Sequence, residues 1–224
     1  MFVTRIYLSH FLGHDTPFYG GDGRFEIEQL RSMDNGDSCN AVRWSFPNHA
    51  GTHVDLPRHF VRDGKCLTDY LPATWFFTKI AIVDISDVMP GSVIGPEMLD
   101  NCRAASSTEL LLLKTGYGRL RETQTYWREN PIFRPDLADY LRDKFPNIRA
   151  IGFDSISVSS WMDRSTGREA HRAFLSGEHP ILLIEDMNLL NIDSKTLISN
   201  VTIAPLLVKD ADASPCMVVA EVAE

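Results

Sequence analysis

The chain has 224 residues, of which 44% are apolar and 23% charged, an ordinary globular composition, and its length favours a single domain over residues 1–224. The net charge of −8 argues against nucleic acid or an anionic membrane as a partner, because both favour a basic surface. This charge still permits a small-molecule substrate, since a local cationic site or a metal can outweigh the overall sign.

The sequence also favours a cytoplasmic protein. No stretch approaches the roughly 18 uninterrupted apolar residues of a membrane span. The apolar N-terminus is interrupted by Arg5, Ser9 and His10, which indicates a strand and not a signal peptide. The four cysteines have no C-x-x-C spacing, as expected of unpaired thiols in a reducing compartment: Cys39, Cys66, Cys102 and Cys216.

Short apolar runs rich in β-branched or aromatic residues predict strands, and amphipathic stretches predict a few helices between them. The predicted strands cover residues 5–12, 41–46, 77–85, 110–115, 150–154, 181–184, 201–208 and 217–222. Helices are predicted from Pro96, from Pro135 and over residues 168–175. The pattern indicates an α/β or α+β fold with a largely β core. Residues 110–113 and 181–184 are apolar on both faces, as in strands that are buried on both sides of a sheet.

Residues 16–25 are rich in glycine and aromatic side chains. They fit either a surface turn or a mobile loop that presents Phe18 and Tyr19 to a ligand. With Phe46 and Trp75, these residues are candidates for an aromatic substrate-binding wall, although aromatic side chains are more often part of a core.

Residues 47–60, P-N-H-A-G-T-H-V-D-L-P-R-H-F, contain three of the seven histidines and an aspartate. In an extended chain His49, His53, Asp55 and His59 share one face, while Pro47, Gly51 and Pro57 disfavour a helix. His53 and Asp55 would be about 7 Å apart at Cα, which one ion can bridge. His49 would be about 13 Å from His53, so it joins the same ion only if the chain bends near Gly51.

These residue types predict a divalent metal site with two imidazole ligands and one carboxylate. Three protein ligands with an open position are typical of catalytic sites, whereas structural sites usually close with four. Imidazole and carboxylate without cysteine suit zinc or manganese. Further along, His171 lies on a predicted helix and Glu185 ends a buried strand, an arrangement that could bring the two together. A buried carboxylate needs a cationic partner, but a solvated strand end would also explain Glu185.

The run His49-Ala-Gly-Thr-His-Val-Asp-Leu-Pro-Arg-His59 resembles the H-x-G-T-H-x-D-x-P-x-H signature of the cyclase family, which includes bacterial kynurenine formamidases and isatin hydrolases. Elements along nearly the whole chain agree: Tyr7-Leu-Ser9-His10 with Thr16-Pro17, Lys114-Thr115-Gly116, Gly152-Phe-Asp154-Ser-Ile-Ser157, and the pair His171 and Glu185. The chain departs from the family where Ser159 stands in place of an aspartate and where Tyr19-Gly20-Gly21-Asp22 replaces a proline-containing turn.

This resemblance implies a swivelling β/β/α fold, a homo-oligomer (dimer or tetramer), and a hydrolytic centre with one or two ions per subunit. His49, His53 and Asp55 would hold the first metal, and Asp55 could bridge to a second ion held by His171 and Glu185. His59 would be the general base.

We therefore predict a metal-dependent hydrolase of an amide C–N bond, in an aryl formamide or a cyclic amide. A metal-dependent lyase, isomerase or cyclase acting on a small carbonyl compound is one alternative. A non-catalytic metal-binding protein, with His59 as a fourth ligand, is the other.

Overall fold

A computed structural model describes residues 3–100, 102 and 104–223. Within these residues the chain forms thirteen strands: β1 Val3–Tyr7, β2 Glu26–Arg31, β3 Ala41–Ser45, β4 His53–Asp55, β5 Phe76–Phe77, β6 Ile80–Asp84, β7 Val93–Ile94, β8 Leu110–Lys114, β9 Ile132–Phe133, β10 Ala150–Phe153, β11 Leu182–Glu185, β12 Ile198–Pro205 and β13 Ala213–Ala223. The α-helices in this part of the chain are α1 Thr125–Arg128, α2 Asp136–Lys144 and α3 Arg164–Leu175.

One mixed sheet of nine strands organises the molecule, in the order β5-β12-β13-β4-β11-β10-β8-β6, with β1 also paired to β13. Strands β6, β8, β10 and β11 are parallel to one another, whereas β4 is antiparallel to both of its neighbours, β11 and β13. The short strand β4 therefore marks the boundary between a parallel and an antiparallel half of the sheet. The sheet curls until it is nearly a barrel, as expected for the predicted largely β core with few short helices.

The parallel strands are buried on both faces, as their continuous apolar sequence predicts. In β8, Leu111 and Leu113 pack into a cluster with Leu137 and Phe174 of the helices. Leu110 and Leu112 point to the opposite face, into a second cluster that fills the inside of the curled sheet. Alternating side chains of one strand thus join two cores, and all four leucines have no exposed surface.

Helix α3 covers one face of the sheet and carries a predicted site residue. It begins one turn earlier than the sequence suggested, because Asp163 caps it by accepting a hydrogen bond from Thr166 N at 3.1 Å. Ala170 and Phe174, four residues apart, pack on the sheet and fix the rotation of the helix. The same rotation buries His171 on the side that faces β4 and β11.

Several predicted boundaries differ from the structure. The run over residues 77–85 is divided into β5 and β6, which lie at opposite ends of the strand order. The strand predicted over residues 5–12 ends at Tyr7, and the helix predicted from Pro96 is a single 3₁₀ turn, Pro96–Leu99. None of the helices within the described residues has the length and apolar character needed to cross a bilayer.

A two-stranded hairpin, β2 and β3, stands apart from the main sheet. Strand β2 was missed because its sequence, Glu-Ile-Glu-Gln-Leu-Arg, alternates with charges and is exposed along its whole length. Ile27 lies opposite Trp44, and Val42 follows on the same face, whereas the opposite face carries an ion pair between Glu28 and Arg43. The hairpin is therefore amphipathic, with its apolar face uncovered.

Candidate active site

The candidate site lies on β4, where the two halves of the sheet meet. His53 and Asp55 project from the same face of β4, and Val54 points to the opposite face into the core. Glu185 of β11 lies directly opposite His53 in the strand ladder, so both side chains reach the same side of the sheet. His53, Asp55 and Glu185 are all at most 3% exposed.

The chain bends at Gly51, as the separation between His49 and His53 required. Gly51 has a φ of +58°, a left-handed conformation that glycine adopts without strain. A Cβ atom at this position would lie 2.5 Å from Leu12 Cδ2, so any other residue would also require the Leu12 side chain to shift. The bend places His49 Nδ1 3.0 Å from Asp55 Oδ1.

His171 and Glu185 complete the same cluster, although 116 and 130 positions separate them from Asp55 in the chain. His171 Nε2 lies 3.4 Å from Asp55 Oδ2 and 3.6 Å from Glu185 Oε1. His53 Nε2 lies 3.4 Å from Asp55 Oδ1 and 3.5 Å from Glu185 Oε2. The two halves of the predicted site therefore meet around the Asp55 carboxylate.

Backbone carbonyls orient two of these histidines. His53 Nδ1 donates to Gly51 O at 2.8 Å, and His171 Nδ1 donates to Gly167 O at 2.9 Å. A carbonyl oxygen can only accept, so each Nδ1 carries a proton and each Nε2 is the ring nitrogen that faces the carboxylates. Glu185 is fixed in turn, because Ser157 Oγ and Val158 N donate to its Oε1 at 3.1 and 3.0 Å.

A divalent metal fits this arrangement of donor atoms. Among the described residues, neither His53 Nε2 nor either oxygen of Asp55 has a hydrogen-bond partner, although all three atoms are buried. The neighbouring nitrogens are close to Asp55 but are not aligned to donate to it, as expected for ligands that converge on a shared cation. Two sets of three residues offer ligand atoms within 4.8 Å of one another: His49, Asp55 and His59, and His53, Asp55 and Glu185.

The electrostatics of the cluster favour bound positive charge. Burial alone would lower the pKa of His49, but contacts with the carboxylates of Asp212 and Asp55 outweigh burial and raise it to about 10. Burial is likewise outweighed at His171, whose pKa Asp55 and Glu185 raise to about 9. His59 is the exception, because burial dominates and lowers its pKa, which keeps its imidazole neutral near pH 7. A metal would therefore compete with protons for the buried imidazoles.

His59 follows β4 on the 3₁₀ turn Pro57–His59, with Pro57 at the first position where its ring fits. Its Nδ1 forms a hydrogen bond of 3.2 Å with Oδ2 of Asp212, a residue far away in the sequence. Phe60 packs against the edge of the His59 ring and stacks on His171 at a centroid distance of 4.3 Å. Its ring also lies 4.1 Å, centroid to centroid, from that of His49, so the fold brings His59 next to the metal-binding candidates despite its offset in the sequence.

A cavity of about 210 Å³ opens over the cluster. Tyr19 lines it, together with Pro17, Phe60 and Ile156, as do His49, His53, His59, His171 and Glu185. The other three proposed aromatic wall residues are not among its lining residues. Phe18 and Phe46 pack in a small cluster with Phe25, and Trp75 is 7% exposed in the core inside the curled sheet.

Sequence reasoning missed Asp212, which precedes β13 and reaches the site from the end of a loop. A lone acidic residue in Asp-Ala-Asp-Ala-Ser carries no signal of its own, because only the pairing of β13 with β4 brings it close. The T-G element and Asp154, in contrast, have a structural role. Asp154 Oδ1 accepts hydrogen bonds from Thr115 N and Oγ1, at 2.6 and 2.7 Å, and Gly116 N donates to its Oδ2 at 3.0 Å, which ties β10 to the end of β8.

Comparisons with known proteins agree with this geometry. A family model for cyclases, described as "Putative cyclase", matches residues 6–160. A kynurenine formamidase from Bacillus mycoides (strain KBAB4) is 30% identical over 210 residues, which cover 94% of this chain and 93% of that protein. Isatin hydrolase A from Labrenzia aggregata, bound to benzyl benzoate, has a TM-score of 0.83 at 20% identity, over 99% of this chain and 94% of the other.

A further solved structure, titled as a potential metal-dependent hydrolase with cyclase activity, has a TM-score of 0.77 at 19% identity and covers 99% of both chains. The curled mixed sheet with its few helices is thus the fold of these proteins. The chain belongs to the cyclase family, and the resemblance drawn from the His49–His59 signature is confirmed.

Proposed function

We propose that this chain is a metal-dependent hydrolase of an amide C–N bond, acting on an aryl formamide or a cyclic amide. The observation that carries the proposal is the set of buried ligand atoms without hydrogen-bond partners, His53 Nε2 and the Asp55 carboxylate, at the floor of a cavity that His59 also lines. The similarity to a kynurenine formamidase over nearly the whole chain supports the same type of reaction.

In this proposal the residues that would hold one or two ions, zinc or manganese, are His49, His53, Asp55, His171 and Glu185. When bound, a divalent metal lowers the pKa of a water molecule and stabilises negative charge on the carbonyl oxygen of the substrate. The glycine bend and the carbonyls of Gly51 and Gly167 hold the imidazoles in the tautomer that such an ion requires.

The proton transfers fall to His59. As a neutral imidazole with Nδ1 bonded to Asp212, it has Nε2 available to accept the proton that the attacking water loses. The same nitrogen can return this proton to the leaving amine when the C–N bond breaks. Phe60 and Ile156 line the cavity with apolar surface, which limits the access of bulk water to the reacting groups.

Removal of the metal tests the proposal directly. Chelation is expected to abolish hydrolysis, and zinc or manganese added back to the stripped protein is expected to restore it. The measurement is a screen of aryl formamides, cyclic amides and lactones, with product mass recorded so that the addition of one water distinguishes hydrolysis from isomerisation. His179→Ala, which changes an exposed histidine on the loop after α3, is the control and should respond to chelation as the parent does. Undiminished hydrolysis by a metal-free sample would contradict the mechanism.

We also propose that the chain forms a homo-oligomer, a dimer or a tetramer, through the apolar face of the β2–β3 hairpin. Trp44 is 65% exposed, Ile27 43% and Val42 40%, so this face has no cover within the described chain. An isolated two-stranded hairpin is only marginally stable in water, and a second copy of the chain would supply the missing packing.

Charge on that face should disrupt the oligomer. Trp44→Glu is expected to shift the protein toward monomer in sedimentation velocity experiments, because a carboxylate would be buried without a partner. Glu28→Gln changes the opposite face of the hairpin and is the matched control, for which the sedimentation coefficient should not change. A monomeric parent protein, or a Trp44→Glu variant that assembles as the parent does, would refute the proposed interface.

A further inference from the structure

Asp212 connects the two ends of the His49–His59 segment. Its Oδ2 accepts from His59 Nδ1 at 3.2 Å, and its Oδ1 accepts from Asn48 Nδ2 at 2.7 Å. Its backbone carbonyl accepts from Leu56 N at 3.0 Å, which anchors the residue beside β4 independently of its side chain. Each carboxylate oxygen thus accepts one side-chain hydrogen bond.

The contact of Asp212 with His59 differs from its contact with His49. His49 Nε2 lies 3.6 Å from Asp212 Oδ2, which is beyond hydrogen-bond distance, while His59 Nδ1 meets the distance and angle of a hydrogen bond. Since a carboxylate can only accept, the proton must be on His59 Nδ1.

We propose that Asp212 is a positioning residue that holds His59 in the tautomer protonated at Nδ1, so that Nε2 can accept a proton in the cavity. The inference rests on the proposed function for its catalytic consequence, but the tautomer itself is a property of the chain alone. Asp212 lies outside residues 6–160, the part of this chain that the family model matches.

Asn48 makes the effect of an amide at position 212 predictable. In Asp212→Asn, the new side chain keeps the hydrogen bond from the Asn48 amide only if it turns its oxygen toward Asn48, and we expect this orientation. Its NH₂ group then faces His59 Nδ1 and donates to it. His59 would be forced into the tautomer protonated at Nε2, which cannot accept a proton from water.

Exchange of the two side chains should reverse this effect. In the double variant Asn48→Asp/Asp212→Asn, the carboxylate at position 48 accepts from the amide NH₂ at position 212. The amide oxygen is then free to accept from His59 Nδ1, which restores the parent tautomer with the same atoms in exchanged positions. A role of Asp212 in folding alone predicts no such recovery. Because the double variant also restores the negative charge, the tautomer of His59, and not activity alone, separates positioning from charge balance.

The experiment compares the parent, Asp212→Asn, the double variant and the control Asp210→Asn. Asp210 is on the same loop, bonds to Thr68 Oγ1 and has a positive φ that asparagine tolerates. Asp212→Asn is expected to lower kcat by about 10²-fold or more with KM and metal content little changed, as for loss of a general base. The double variant should regain at least about tenfold of that loss, and the control should match the parent.

A second measurement needs no activity. Long-range ¹H–¹⁵N spectra of metal-free protein with ¹⁵N-labelled histidine report which nitrogen of neutral His59 is protonated, and His59→Gln assigns the signals. We expect Nδ1–H in the parent, Nε2–H in Asp212→Asn and Nδ1–H again in the double variant. A parent that hydrolyses no amide refutes the proposed function, while the spectra still decide the role of Asp212. An unchanged tautomer in Asp212→Asn, or a loss of metal without recovery in the double variant, overturns the inference.

Discussion

Replacement of Asp55 by asparagine is expected to remove both metal and activity from the protein. Both Asp55 oxygens are buried and lie within 3.4 Å of histidine nitrogens of His49, His53 and His171. An amide of the same shape has no charge and presents an NH₂ group to lone pairs or to a cation. We expect metal affinity to fall by roughly 10³-fold, which corresponds to about 4 kcal/mol, the range found when one partner of a buried charge pair is removed.

Metal analysis after equilibration with buffered zinc or manganese measures this effect, and circular dichroism checks that the fold persists. Asp143→Asn, on an exposed position of α2, changes the same functional group away from the site and should bind metal as the parent does. An Asp55→Asn protein that retains a full complement of metal would mean that the cation lies elsewhere.

Replacement of His59 by glutamine should separate turnover from metal binding. The imidazole with its lowered pKa is expected to be the proton acceptor, and its loss should reduce kcat by about 10²- to 10⁴-fold. Metal content and KM are expected to change little, because all of the proposed metal-binding residues remain in place: His49, His53, Asp55, His171 and Glu185. Steady-state kinetics and metal analysis on the same preparation provide both quantities.

The same variant tests the alternative in which His59 is a fourth ligand of a closed, non-catalytic site. His49, Asp55 and His59 do offer ligand atoms within 4.8 Å of one another, so this alternative has a geometric basis. It predicts that His59→Gln weakens metal binding, and that the parent protein does not turn over any amide. A His59→Gln protein that keeps its metal but has a much lower kcat would support the role of His59 as a general base.

The local part of the site could be predicted from the sequence because its residues are within one short segment. The spacing of His49, His53 and Asp55, with a glycine between the histidines, defined both the ligands and the bend that joins them. His171 and Glu185 could be suspected because a helix that leads directly into a strand places its residues near the strand end. Asp212 could not be predicted, because it reaches His59 from a segment far away in the chain. The hydrogen bond from His171 to the Gly167 carbonyl could not be predicted either, because the sequence does not give the orientation of the imidazole ring.

For the fold, too, local sequence patterns were predictive and contacts between distant segments were not. Runs such as Leu110–Lys114 are apolar on both faces, and the structure covers them on both faces. Strand β2 was missed because its exposed, charged sequence has no burial pattern to detect. The sequence makes Phe18, Phe46 and Trp75 candidates for a substrate-binding wall. In the structure they pack in core clusters, with partners that the sequence does not identify.

Strand β4 has a consequence for how the protein folds. Its three residues pair with β11 and β13, so Asp55 faces Leu183 on one side and Ala213 on the other. Both partners come much later in the chain, and contacts over such separations form slowly because loop closure must precede them. We therefore expect the ligand cluster to be completed late in folding. A cation bound there would act mainly by slowing unfolding, and would contribute kinetic stability without speeding up folding.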